Sequence, residues 1–271
     1  MPETLQKSVE GLRNLLEAEE ARLPRQMDWL LHRRKKVRIG SILNAMADLS
    51  QTRGMYAYFI KGEADELRQH FYVASKLILK VAETDYGDPF GGFSPFFYAL
   101  LSDSIEVIDA TANFESPDFV KSRNNPLWAH FHMHMLQLAL RDEHEALLQK
   151  IEHLAKNGKN PDRKEAAASE DFYSLLLKRD QAGLERVIQR RAVQHEQGDV
   201  RMTMFLAGQS TLRAKLCWLK GIPVQIEGPW VPMALLPVQP LAHYDDEYEF
   251  LKPGWAPPPQ GLMGKLSRWL K

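Results

Sequence analysis

The chain has one cysteine, Cys217, in 271 residues. No disulfide can form within it, and the count fits a reducing compartment. No apolar run approaches the about 18 residues that a membrane-crossing helix needs. The opening stretch, MPETLQKSVEGLRNLLEAEEARL, has no apolar segment ahead of its charges, so no signal peptide is read. Charge of one sign is also missing. Lys and Arg total 35, matching 35 Asp and Glu, so no global field draws the chain to nucleic acid or a membrane surface. These absences predict a cytoplasmic protein without stable membrane insertion or direct nucleic-acid binding.

Signatures of catalysis are equally scarce. The stretch 85–93, DYGDPFGGF, is dense in turn formers but lacks the Gly-Lys-Ser/Thr of a phosphate loop. No glycine-rich dinucleotide fingerprint occurs. Gly208-Gln209-Ser210 lacks the glycine-x-serine-x-glycine elbow. Cys217 sits in an apolar helical pattern, where cysteine behaves as a small buried hydrophobe. No catalytic residue, cofactor site or metal site is assigned.

What is present is helix. Hydrophobic residues make up 44% and charged residues 26%, enough apolar material for one large domain or two small ones. A joint recurs four times, as IKGE at 60–63, LLSD at 100–103, ALRD at 139–142 and KRD at 178–180. Each follows an apolar helical run and ends in an acid: Glu63, Asp103, Asp142 and Asp180. The separations of 40, 39 and 38 residues are those of stacked helical hairpins. An acid there suits an N-cap or a first turn, where exposed N–H groups and the helix dipole favour negative charge. The fold class expected is all-α: stacked antiparallel helical hairpins in a solenoid-like array, with joints near 61–64, 101–104, 140–143 and 178–181.

Helices are expected over 3–22, 163–177, 182–196 and 201–219 from apolar spacings of three and four. In the first hairpin, Ile42, Leu43, Met46, Leu49, Tyr56, Phe59 and Ile60 line one helix. Leu67, Phe71, Ala74, Leu77, Ile78 and Val81 line the next. Ser94-Pro95 is expected to open a helix with a serine cap, and Asn125-Pro126 and Asn160-Pro161 repeat the signal. The basic run His32–Arg38 reads as a solvated or partner-facing turn. After Gly221 the composition changes. Nine of the 16 prolines lie beyond it, which forbids long helices and disfavours central strands. A proline-rich C-terminal strap is expected, with a short strand at Val224–Ile226 and with Trp230, Leu235 and Leu236 buried against helix 201–219. The division read is 1–38, an amphipathic helix and basic turn; 39–251, the helical domain; and 252–271, a tail with a short amphipathic helix near 262–271.

The histidines are the best candidates for chemistry. His130, His132 and His134 alternate within Leu127–Leu140, and His130 and His134 share a helix face at the spacing zinc-binding helices use. No glutamate follows His130 directly and no third ligand can be placed. Arg141 on the same flank would repel a cation. Trp128, Phe131, Met135 and Leu138 form the apolar stripe, with His132 beside it.

The run 172–251 reads FYSLLLKRDQAGLERVI, then AGQSTLRAKLCWLKGIPVQIEGPWVPMALLPVQPL, then YDDEYEFL. It resembles the immunity protein 49 family of bacterial polymorphic toxin systems. The similarity lies in the helix bearing Lys215 and Trp218, the Gly221 turn, Val224–Ile226, Val231-Pro232 with Leu235-Leu236, and the closing tyrosine–acid stretch. It is clearest over this run and extends over 40–251. The resemblance implies an all-α cytosolic protein that binds and neutralises a cognate toxin without catalysis. Asp245, Asp246, Glu247 and Glu249 are the partner-binding candidates. If the toxin acts on nucleic acid its cleft is basic, and an acidic strip with interleaved tyrosines competes for it. The competing account makes the strip a solvated turn whose aromatics face the core. Two other functions stay open: a helical-repeat scaffold with a non-toxin partner, and a metal-dependent enzyme using His130 and His134.

Overall fold

The computed structural model describes residues 3–84, 88–193 and 205–260, with side chains from residue 9 onward. Among them there is no strand, and the chain is all-α. It forms two compact units: Phe90–Pro240, and Met1–Pro89 together with Leu241–Lys271. The boundaries read at 38/39 and 251/252 do not coincide with this division. The reason is packing: the first two helices lie on the third, and Gln260 donates to Leu31 O at 2.8 Å.

The first unit contains α1 (Glu3–Glu20), α2 (Leu23–His32), α3 (Ile39–Tyr56) and α4 (Ala64–Ala82). Every apolar position expected on α4 is buried, as are Ile42, Leu43, Met46 and Leu49 on α3. The two helices touch closely because Gly54 has no side chain. A Cβ there would stand 2.9 Å from the Phe71 ring. Tyr56, Phe59 and Ile60 depart from expectation, being only half-buried. Residues Ala57–Lys61 form a π turn, which rotates Phe59 and Ile60 off the 3.6-residue face, and Tyr56 is the last residue of α3 before it. The basic run is partly spent on structure. Arg34–Lys36 form a 3₁₀ turn, Arg33 pairs with Asp28, and the Arg34 guanidinium lies over Trp255 at 5.8 Å.

The second unit contains α5 (Ser94–Ser102), α6 (Ile105–Ala112), α7 (Pro117–Ser122), α8 (Ala129–Leu140), α9 (His144–Asn157), α10 (Asp162–Ala167), α11 (Phe172–Leu177), α12 (Gln181–Val193) and α13 (Gly208–Leu219). Helix α5 is its centre. Every residue from Pro95 to Ser102 is buried, the signature of a helix covered all round. It packs on α6 and α13. Beside it Phe90 stacks on Phe114 with centroids 3.9 Å apart and meets Phe96 and Phe119 edge-on.

The four joints fall where the repeat places them, at 62–63, 103–104, 141–143 and 178–180. The job of the acids is different from the one expected. Each joint is turned by a left-handed residue: Gly62 (φ 78°), Asp103 (59°), Asp142 (57°) and Arg179 (53°). Asp103 and Asp142 therefore occupy the turning position itself, which short polar side chains tolerate. Glu63 is an N-cap residue without a side-chain cap bond. Only Asp180 caps, accepting from Gly183 N at 2.9 Å. The joints at 142 and 179 close by a Schellman pattern, Glu143 N to Leu138 O and Asp180 N to Leu175 O, both 3.0 Å. That pattern satisfies the last carbonyls of the preceding helix.

Other local expectations shift. Residues 163–177 form two helices, because Ser169 is left-handed at φ 55° and Asp171 then caps α11 through Tyr173 N and Ser174 N. Ser94 lies inside α5 and makes no cap bond; Phe93 holds the N-cap position. Asn125 accepts from Leu127 N in a local turn and α8 begins only at Ala129, so Trp128 is 54% exposed rather than part of the stripe. Residues 194–196 and 201–204, and the tail helix read near 262–271, lie outside the described residues.

Residues 222–240 lie along α12 and α13. Val224 and Ile226 are buried and Gln225 is exposed, but the stretch pairs with no strand. Its backbone is met by side chains one helical turn apart on α12. Gln225 N donates to Glu185 Oε1 at 2.9 Å and Glu227 N to Gln189 Oε1 at 2.7 Å. Gln181 Nε2 reaches Pro223 O. Leu235 and Leu236 are buried and Trp230 half-buried. The Trp230 carbonyl accepts from Ala207 N at 2.8 Å. That bond is made just before α13, and residues 205–207 ahead of Gly208 are not helical.

Candidate functional site

The acidic strip belongs to the first unit, where α3 and α4 hold it. Gln69 clamps Asp245 by its backbone, donating Nε2 to Asp245 O at 2.6 Å and accepting from Asp245 N at 3.1 Å. The Tyr244 ring lies against Tyr72 with centroids 4.8 Å apart. Asp246 Oδ1 takes the Tyr72 hydroxyl at 2.9 Å and Lys76 Nζ at 3.0 Å. Arg53 grips Glu20 with two bonds of 2.7 and 2.9 Å and on its other edge pairs with Glu247. Tyr248 and Phe250 are buried and stacked 5.3 Å apart.

The four carboxylates therefore divide. Asp246 and Glu247 are neutralised by Lys76 and Arg53 and fasten the strip. Asp245 and Glu249 are exposed; Asp245 Oδ1 accepts only from Glu247 N within the strip, at 2.8 Å, and Glu249 makes only a solvent-screened surface pair with Lys252. The aromatics face inward, as the competing account expected. Nothing local in 244–250 names Arg53 or Lys76, which are more than 150 residues away in sequence.

Helix α8 sends its histidines to different places. His130 and His134 both meet the Phe119 ring edge-on, at 5.5 and 6.1 Å. Ser122 Oγ lies 2.6 Å from His130 Nδ1 and 2.6 Å from Asp118 O. The two thus stand at the same distance from the hydroxyl with its single proton, and the histidine tautomer sets which of Ser122 and His130 donates to the other. Among the described residues, no group of three or more His, Cys, Asp or Glu is placed to hold a metal ion. Burial, then the charges of Lys150, Arg123 and Arg141, lowers His134 to about 4. Cys217 is buried and free, and burial pushes its thiol up to about 12.

His134 gives a pH prediction. Its folded pKa lies below its ordinary value of 6.5, so protons bind the unfolded chain better and stability falls as pH drops from about 6.5 towards 4. His134→Gln should flatten this fall. Urea midpoints at pH 7 and pH 5 check it, and an unchanged difference between the two would remove His134 as the cause.

His132, between the other two, lines a cavity of about 340 Å³ in the second unit. Its walls come from α8, α10, α11, α12 and α13, and they include Arg191, Arg213 and Tyr173. Nothing in the sequence marks this grouping, since the residues come from separate helices at no fixed spacing. No family model matches the chain, and neither a curated protein nor a solved structure does.

Proposed function

We propose that this chain is an immunity protein that binds a cognate bacterial toxin in the cytoplasm and neutralises it by occupation, without catalysis of its own. The resemblance over 172–251 motivates the reading. The observation that supports it best is the way the acidic strip is held. Asp246 and Glu247 are spent on fastening, while Asp245 and Glu249 face solvent on a backbone clamped by Gln69. A surface fixed before binding loses little freedom on association, and its exposed charges raise the association rate with a basic partner.

The test uses the protein encoded by the adjacent reading frame as the toxin. Co-expression of the full chain should rescue cells from it, and the two proteins should form a complex. Asp245→Asn with Glu249→Gln should weaken that complex at least tenfold, about 1.4 kcal/mol, and reduce its salt dependence without changing the urea midpoint. Asp246→Asn with Glu247→Gln should instead lower the midpoint. Loss of less than tenfold with an unaltered salt slope would take the strip out of the interface. Failure to rescue or to form a complex would sink the immunity reading.

The scaffold reading has one feature in its favour. An open groove of about 820 Å³ runs between α9, α10 and α11, and Leu148 on its wall is 50% exposed. If toxin binding fails while Leu148→Asp abolishes capture of a non-toxin partner, the scaffold reading replaces the first.

A further inference from the structure

The cavity beside His132 contains charge that the protein does not use. Arg213, on α13, lies with its guanidinium 5.2 Å from the centre of the Phe172 ring and has no hydrogen bond or ion pair to any described residue. Arg213 is half-buried, its guanidinium facing the cavity, and desolvation, and next the charge of Arg191, lowers its pKa. The guanidinium still stays protonated at neutral pH and carries five N–H donors in a fork. Arg191 gives its Nη2 to Asp162 and Glu165, both at 3.1 Å, but its buried Nε has no acceptor. The Tyr173 hydroxyl has only a long 3.5 Å contact, to His132 O, and burial raises its pKa so that it keeps its proton.

The acceptors in the same cavity are already committed. Asp162 and Glu165 hold Arg191, and Glu165 also takes Arg190 at 2.9 Å. Asp171 caps α11 through two backbone N–H groups and takes the Ser174 hydroxyl. What is left over is a set of donors, which calls for a ligand that brings acceptors. The committed carboxylates still carry negative charge, so the cavity suits one anionic group and disfavours a second. Phe93, Met133, Leu136 and Leu212 supply apolar wall. The volume is at the lower end of the range for small-molecule sites.

We propose that this cavity binds a small organic monocarboxylate, its carboxylate held by the fork of Arg213 and its body set against the apolar wall. The pairing is the bidentate one that guanidinium and carboxylate planes favour. The Phe172 ring beneath it holds the Arg213 guanidinium in place beside the apolar wall. This proposal does not depend on the toxin reading, because it uses none of the acidic strip and no partner protein.

The test is calorimetric titration of the full-length protein with benzoate, phenylacetate and hexanoate, and with inorganic phosphate and citrate for comparison. At least one monocarboxylate should bind saturably with 1:1 stoichiometry and more tightly than phosphate or citrate. Arg213→Met should weaken it by at least about tenfold, the scale of losing a charge-assisted pair. Arg213→Lys, which keeps the charge and loses the fork, should fall between the two. The Met variant keeps the stem and removes an unpaired charge, so its thermal midpoint without ligand should stay the same or rise. Any one of four results overturns the proposal: no saturable binding of the three monocarboxylates, equal binding by Arg213→Met, tighter binding of phosphate or citrate, or a lowered midpoint in Arg213→Met, which would make Arg213 a structural residue.

Discussion

A chain ending at Lys220 is expected to lose the cooperative unfolding transition of the Phe90–Pro240 unit. The cut removes Ile222, Val224, Ile226, Val231, Leu235 and Leu236, all buried in the intact protein. Each large apolar side chain contributes about 1.5–3 kcal/mol when fully buried. The loss is therefore on the order of ten kcal/mol, as large as the whole stability of an ordinary domain. The polar ladder on α12 would lose its backbone partners at the same time. Calorimetry of the two chains checks this, and a truncated chain that keeps the full-length midpoint would refute it. Leu235→Ala with Leu236→Ala in the full chain is the gentler version, expected to cost about 2–5 kcal/mol per residue.

Lys215→Met is expected to be among the most damaging single substitutions in the second unit. Lys215 Nζ lies 2.6 Å from Asp103 Oδ1, and both side chains are 1% exposed. The same ammonium donates to Leu235 O and Pro237 O, each at 2.9 Å, and Asp103 Oδ2 accepts from Gln239 N. One cation thus ties the α5–α6 joint and α13 to residues 235–239. Removing one partner of such a pair leaves the other charge buried alone, at a cost of about 3–5 kcal/mol. Asp103→Asn should cost a similar amount, since asparagine also tolerates the left-handed backbone there. The double variant should lose much less than the sum, because neither charge is then stranded. Urea unfolding of the four proteins measures the coupling. Single losses under about 1 kcal/mol would remove the pair from its anchoring role.

The lysine and the tryptophan noted in the helix at 208–219 thus turn out to have structural work. Trp218 Nε1 donates to Val224 O at 3.0 Å, and Lys220 Nζ reaches Leu140 O and Asp142 at the joint between α8 and α9. Arg179, the left-handed residue of the α11–α12 joint, donates to Lys220 O and Gly221 O. In the second unit the α8–α9 and α11–α12 joints are thereby fastened to the Gly221 turn by long cationic side chains. A repeat seen in sequence as four separate punctuation marks is, at these places, a set of mutually bonded helix ends.

Where the chain reverses, and which faces of α3 and α4 are apolar, is legible from the amino acids alone. Both are local matters: a left-handed residue ends a helix wherever it stands, and a spacing of three and four puts side chains on one side of it. The change of structure after Gly221 is legible too, because proline breaks a helix anywhere past its first turn. The π turn at Ala57–Lys61, the split between α10 and α11, and the exposure of Trp128 are not legible in this way, since backbone geometry over a few residues decided each of them. Which carboxylates of the acidic strip are spent follows from packing between distant segments. Arg53 and Lys76 reach them across some 170 to 194 residues, a distance over which charges leave no pattern. The same holds for Arg213. Its place in an amphipathic helix is plain from the sequence, but whether a cation on that helix meets an acid, water or an empty cavity depends on what α8, α11 and α12 bring to it.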